Sequence, residues 1–422
     1  MPSIAYLECS RCPAQISAES PQTVCPQCGG ALFVRYDMAA IRRSTSRDDI
    51  QARATAANTS LGMWRYAGVL PAVDPVTLGE GFTPMLRSRR YPNLFLKEEA
   101  ANPTGTFKAR GLSLAVSMAR HYGLRKLAVP SAGNAAGALA AYAAAAGMMA
   151  HIFMPRDVPL ANYLEAVVYG GNVTLVDGLI SDCARMVAER KDAEGWFDIS
   201  SLKEPFRVEG KKTMGYELVE QSGWRYPDAV FYPTGGGVGL IGMWKAFEEM
   251  EALDWVAGRR PKMIAVQASG CAPVAKAFRE GKPASEMWPN AKTFASGLRV
   301  PKPYGDALIL DIVRQSGGLV LDFDDQQILA SLLDWAREEG VLLSPEGAAA
   351  TAAYDHLLAG GWLSPEDKVV IFNTGSGLKY ADVIADAMHL ALPAQAKDGR
   401  EVDHRGAVLP SRHRAGGIIT PQ

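Results

Sequence analysis

The chain lacks charge of either sign in excess. Its 44 Lys and Arg stand against 45 Asp and Glu, a formal net charge of −1. That removes the electrostatic basis for gripping nucleic acid or an anionic membrane. Long hydrophobic runs are missing too. The most apolar stretch, 135–150, is mostly alanine, interrupted by Gly137, Tyr142 and Gly147. It suits a buried helix better than a bilayer span. The opening residues, MPSIAYLECS, have neither the basic nor the apolar region of a secretory signal, so a cytoplasmic protein is expected. No internal repeat is present. Cysteine is sparse, six in all, and outside an oxidising compartment a disulfide framework is not expected. Cys183 and Cys271 stand alone in segments that read as helical and are taken as packing residues.

What is present is an ordinary globular balance, 48% hydrophobic and 21% charged over 422 residues, enough for two or three domains. From about residue 76, short apolar runs alternate with helical periods. KLAVP (126–130), AHIFMP (150–155), NVTLVDG (172–178), DAVFYP (228–233), KMIAVQA (262–268) and KVVIFNTGSG (368–377) read as strands. Segment 180–195 has helical spacing. Such alternation argues an α/β fold with mainly parallel sheets. Residues 37–75 read as a connecting segment with one or two helices, and 391–422, rich in Gly, Pro and Arg, as a loose tail.

Residues 1–36 differ from the rest. Cys9-x-x-Cys12 and Cys25-x-x-Cys28 are separated by twelve residues, and Gly29 and Gly30 follow. Two such knuckles suit one tetrahedral Zn²⁺. Four thiolates close the coordination shell, so the metal is expected to be structural. It would stabilise a segment too short to bury much apolar surface.

Three turns carry candidate chemistry. Lys108 follows Asn102-Pro103-Thr104-Gly105-Thr106-Phe107 and precedes a helical period. Near a helix N-terminus the dipole disfavours an ammonium, and an imine-forming lysine needs a lowered pKa. Gly235-Gly236-Gly237-Val238-Gly239 lies between a strand and a helix. There backbone N–H groups can close on a phosphate. The loop has neither the Lys-Ser/Thr of a P-loop nor the Rossmann spacing. Ser131-Ala132-Gly133-Asn134 sits at another strand-to-helix turn, where capping by Ser131 or Asn134 is the plainer role.

The phrase from Asn102 to Gly111, NPTGTFKARG, resembles the lysine motif of the tryptophan-synthase-β-like, fold type II enzymes that use pyridoxal 5′-phosphate. Gly79-Glu80-Gly81-Phe82-Thr83-Pro84 and Arg207-Val208-Glu209-Gly210-Lys211-Lys212-Thr213 are similar to elements of the threonine synthase family. The resemblance covers about residues 76–385. It implies two three-layer α/β domains around a cofactor cleft: a large one from 76–109 and 216–390, and a small mobile one from 110–215. It implies a Schiff base on Lys108, cofactor phosphate on the 235–239 loop, the ring oxygen on Asn134 and the ring nitrogen beside Thr374. Ser131 and Arg207 match positions that bind the substrate's phosphate; Arg207 reads equally as a partner of Glu209 or of a surface carboxylate. Glu346, in Ser344-Pro345-Glu346-Gly347-Ala348, suits either a nearby acid or the opening of a helix. A homodimer is implied as well.

The implied reaction turns O-phosphohomoserine and water into threonine and phosphate. Ala132 and Ala135 stand where the family commonly has threonine, and segment 296–301 departs from the family's text. A threonine or serine dehydratase, or a β-replacement enzyme such as one making cysteate, is therefore the alternative. A zinc-ribbon binding protein on an inactive scaffold is a third reading.

Overall fold

The computed structural model describes residues 2–56 and 62–390; the expected tail at 391–422 lies outside them. Two α/β sheets and a small ribbon make up the described chain. One sheet runs in the order Leu319–Phe323, Lys262–Ala268, Ala229–Pro233, Val369–Asn373, Leu94–Glu98 and Met85–Arg87. It is parallel throughout except for the antiparallel edge strand Met85–Arg87. The second sheet, Asn172–Val176, Met149–Pro155, Lys126–Pro130 and Phe197–Asp198, is wholly parallel. The α/β expectation is met.

The central strands are legible in sequence because helices cover both faces and make every position apolar. All five residues of Ala229–Pro233 and of Val369–Asn373 are buried. Leu319–Phe323 and Met85–Arg87 were not read as strands. Both are edge strands with half-buried or exposed positions, so their apolar signal is diluted. The alanine-rich stretch forms helix Asn134–Ala145, buried along most of its length. Cys183 lies in helix Ile180–Glu194, but Cys271 does not lie in a helix. It forms an isolated bridge with Ala268 before the helix that starts at Pro273. Pro273 opens that helix, a position that suits a residue with no N–H to donate. Burial holds both thiols up, to about 11, as expected of inert packing residues.

One buried ion cluster fixes where the lysine motif meets the large sheet. Arg110 has no exposed side-chain surface. Its Nε and Nη2 donate to Glu99 at 2.7 and 2.6 Å, and its Nη1 to Glu217 at 2.7 Å. Lys97 pairs with Glu217 as well. Burial works to raise the pKa of Glu217, yet Arg110 and Lys97 outweigh it and bring it to about 2. The Gly79–Pro84 element wraps this cluster. The N–H groups of Phe82 and Thr83 donate to Glu217 at 2.7 and 2.6 Å. Buried Glu80 accepts from Trp64 Nε1 at 2.9 Å and from the Tyr142 hydroxyl at 2.5 Å.

Arg110→Met would leave Glu99 and Glu217 buried with Lys97 as their remaining cationic partner. Uncompensated burial of charge costs about 3–5 kcal/mol. The variant is expected to unfold at a clearly lower urea midpoint; a midpoint equal to the parent's would contradict this account of the cluster.

Candidate active site

The two sheets direct the C-terminal ends of their parallel strands at a shared cavity of about 440 Å³, the usual ligand position of open α/β sheets. From the four-stranded sheet come Pro130–Ala135, after Lys126–Pro130, and Ser200–Lys203, after Phe197–Asp198. From the six-stranded sheet come Pro233 and Gly235–Val238 after Ala229–Pro233, and Thr374 after Val369–Asn373. Lys108, Ser131, Asn134, Gly235, Gly236, Gly237, Val238 and Thr374 all face this one space. Two residues singled out in the sequence do not. Gly239 lies inside helix Val238–Ala252, so close to the Tyr232 hydroxyl that a Cβ would overlap it. Arg207 lies behind the wall, in helix Pro205–Lys211, 1% exposed.

Lys108 is the first residue of helix Lys108–His121. Its Nζ sits over the Phe107 ring, 4.3 Å from the centroid. Burial, then the nearby Arg207 charge, lower its pKa to about 7, with Glu346 opposing. The preceding residues are held to the end of strand Val369–Asn373. Phe107 N–H and Thr106 Oγ1 both donate to the Thr374 carbonyl, at 3.1 and 3.0 Å.

Opposite the lysine motif, the glycine loop opens helix Val238–Ala252. Gly237 has φ +70°, a conformation that favours glycine, and this curls the loop into the helix start. A Cβ at Gly236 would meet nothing closer than 4.0 Å, so the backbone is open at that residue, while Gly235 packs against the Gly297 carbonyl and Gly237 against Ile309. Asn134 donates from Nδ2 to the Tyr380 hydroxyl at 3.0 Å, and Tyr380 donates to Glu346 at 2.9 Å. The buried Oδ1 of Asn134 has no partner. Ser131 rather than Asn134 closes the turn. Its hydroxyl accepts from the N–H groups of Gly133 and Ala136 at 3.2 and 3.1 Å.

Arg207 does not pair with Glu209, which instead binds Lys212, Lys245 and Tyr36. Its Nη1 donates to the Ile199 carbonyl at 2.8 Å, while Nε and Nη2 have no hydrogen-bond partner. Burial lowers its pKa only to about 10, so it stays charged. Glu346 serves both readings given to it: it opens helix Pro345–Ala359, faces the cavity and accepts from Gly297 N–H at 2.7 Å. Ala132 and Ala135 face the cavity too, so the wall lacks hydroxyls there. Arg156 is exposed, and Arg299 is tied to Asp157 by two bonds of 2.6 and 2.8 Å. Tyr380, Tyr232 and Ser200–Leu202, which also line the cavity, carried no signal in the sequence. Single polar or aromatic residues after strands carry no pattern of their own.

The four sulfurs of Cys9, Cys12, Cys25 and Cys28 lie within 4.8 Å of one another, the one such metal-ligating group among the described residues. Their closest separations are 3.4, 3.5 and 3.7 Å. A tetrahedron with metal–sulfur bonds of about 2.3 Å has edges of about 3.8 Å, so the donors fit a single metal ion. The knuckle is tight: a Cβ on Gly30 would sit 2.7 Å from Cys9 Sγ.

These features define an α/β enzyme whose cavity pairs a near-neutral lysine with an open row of backbone amides. Comparison with known proteins narrows the class. Residues 76–375 match the model of a family described as "Pyridoxal-phosphate dependent enzyme". A threonine synthase of Methanosarcina acetivorans is 32% identical over 389 residues, 90% of this chain and 94% of that protein. One of Methanocaldococcus jannaschii is 32% identical over 84% of this chain and 88% of that protein. The chain belongs to the pyridoxal-phosphate-dependent enzymes and, within them, to the threonine synthase family; it is a lyase of that cofactor class. In fold it is similar to maize serine racemase, with a TM-score of 0.61 and 23% identity over 84% of this chain and 97% of that one. The cavity fits the cofactor: a lysine held near neutrality, amides open to an anion, and a buried, unpartnered amide oxygen on Asn134.

A neutral amine is the form that attacks an aldehyde. The rate at which the cofactor-free protein captures pyridoxal phosphate should therefore climb as pH rises through about 7 and level off above it. A free lysine would keep gaining to about pH 10. Stopped-flow growth of the visible absorption band measures this, and a rise continuing toward pH 10 would contradict the burial argument. Lys108→Ala should give no such band.

Proposed function

We propose that the protein is a threonine synthase, converting O-phosphohomoserine and water to threonine and phosphate. Lys108 would hold the cofactor, the amides of Gly235 to Val238 its phosphate, Asn134 its ring oxygen and Thr374 its ring nitrogen. When bound, pyridoxal phosphate supplies an electron-withdrawing ring that stabilises negative charge at the substrate Cα. A neutral threonine hydroxyl at the ring nitrogen keeps that withdrawal weaker than a carboxylate would, which favours elimination over transamination. With the cofactor bound, Lys108 would be the group that takes and returns the Cα proton. Its pKa of about 7 suits both directions near neutral pH.

Arg207 carries the choice of a phosphorylated substrate. It is a buried, permanently charged group with two nitrogens unpaired, next to the catalytic lysine. Leaving such donors unsatisfied costs about 1–3 kcal/mol each, and an arriving phosphate removes that cost through charge-assisted bonds. In this reading Ser131 borders the same phosphate, and segment 110–215 shifts on binding to bring Arg207 to the cavity. The same reading carries a homodimer, a cytoplasmic location and structural zinc. Ala132 and Ala135 favour a second reading, a serine or threonine dehydratase or a β-replacement enzyme, because they strip hydroxyls from the wall.

Purified enzyme offered O-phosphohomoserine should release phosphate and threonine in equal amounts. Consumption of serine or threonine alone, yielding a 2-oxoacid, would select the second reading. Arg207→Ala should lower kcat/KM for the phosphorylated substrate roughly 10–100-fold, the worth of one or two charge-assisted bonds. It should have much less effect on any residual turnover of serine.

A further inference from the structure

The cysteine ribbon is linked to the elements around the cavity along two separate lines. The first runs to the cavity mouth. Gly29, the residue after Cys28, accepts a hydrogen bond at its carbonyl from the Tyr304 hydroxyl. Arg11, between Cys9 and Cys12, lies over the Tyr304 ring, 5.6 Å from its centroid. Tyr304 faces the cavity with Lys203 and Lys302, and Lys203 Nζ lies 5.8 Å from the same ring centroid. Tyr304 ends the 296–304 loop, which supplies Ser296, Gly297, Leu298 and Val300 to the cavity wall. This is the loop whose sequence departs from the family's text.

The second line runs behind the wall. Strand Leu32–Arg35 packs on helix Pro205–Lys211. Tyr36 then donates to buried Glu209 of that helix at 2.6 Å. The helix also carries Arg207. A strand of the ribbon thus backs the element that holds the buried cation, while a cysteine knuckle props the loop at the mouth.

We infer that the ribbon is a positioning device for substrate binding, with Tyr304 as the positioning residue through which the metal-held knuckle sets the cavity mouth. The physical basis is the knuckle itself. Gly29, with φ +70°, and Gly30 follow a turn closed by metal–thiolate bonds. Without metal, four thiols of so short a segment have little else to hold them in register, and the Gly29 carbonyl loses its fixed place. The residues assigned to the cofactor belong to other elements. The inference rests on the reading of the cavity as a substrate site but not on which amino acid fills it.

The test uses the full-length holoenzyme. Metal content is measured first, and less than about one metal per chain in protein purified without chelators overturns the inference. Tyr304→Phe removes the hydroxyl alone and keeps the metal. It should raise KM about fivefold, the worth of one hydrogen bond, with kcat and the visible cofactor band unchanged. Hydrogen exchange across 296–304 should rise in the same variant and in chelator-stripped protein. Unchanged KM and exchange in Tyr304→Phe would overturn the inference, whatever stripping does to the rest of the fold. KM is read on whichever of O-phosphohomoserine, serine or threonine is turned over, so failure of the threonine synthase reading and failure of this one are seen separately.

Discussion

Arg110 lies two residues past Lys108, wholly buried between Glu99 and Glu217, and the geometry of the cavity depends on that contact. A guanidinium in a dry interior is tolerated only when its donors are matched, and here the matching carboxylates come from the end of one strand and from a distant helix. The pairing therefore fixes three elements at once. It sets where the helix of Lys108 begins, which is what brings the lysine amine over the Phe107 ring and away from water. Glu80 and the Phe82–Thr83 amides enclose the cluster, so the Gly79–Pro84 element, family-like in sequence, does its work outside the cavity.

Burial then sets the chemistry. Lys108 and Arg207 share one low-dielectric region and respond differently because their intrinsic proton affinities differ. The guanidinium keeps its charge, and its field adds to desolvation in holding the amine near neutrality. One arrangement thus yields both a nucleophile in its reactive form and a cation with bonds to spare. The first suits an aldehyde cofactor and the second an anionic substrate group. The ribbon belongs to the same logic. Its four cysteine sulfurs are gathered as donors for one metal ion, and it stands against both the helix of Arg207 and the 296–304 loop.

Much of this was legible in the sequence. The central strands showed as continuous apolar runs because both their faces are covered. The 102–111 phrase and the 235–239 loop marked two walls of the cavity because backbone-dictated turns need glycine and proline at fixed places. The cysteine quartet was plain from spacing. Other features left no trace. Leu319–Phe323, half-exposed at the sheet edge, lost its pattern. Tyr380, which bridges Asn134 and Glu346, is a lone tyrosine in a short helical turn. The Gly239 at the end of the glycine loop looked like part of the cradle, yet it serves helix packing against Tyr232.

The sequence by itself determined the fold class, the lysine, the amide loop and the metal quartet, because each is written in contiguous residues whose local geometry is set by backbone preference or ligand spacing. Only the tertiary structure decided which charges meet. It left Glu209 to Lys212, Lys245 and Tyr36, left Arg207 with unpaired nitrogens, tied Arg299 to Asp157, and set Tyr304 between the ribbon and the cavity. Those outcomes turn on distances between residues far apart in the chain, and charge pairing in a buried site follows position in space rather than order in sequence.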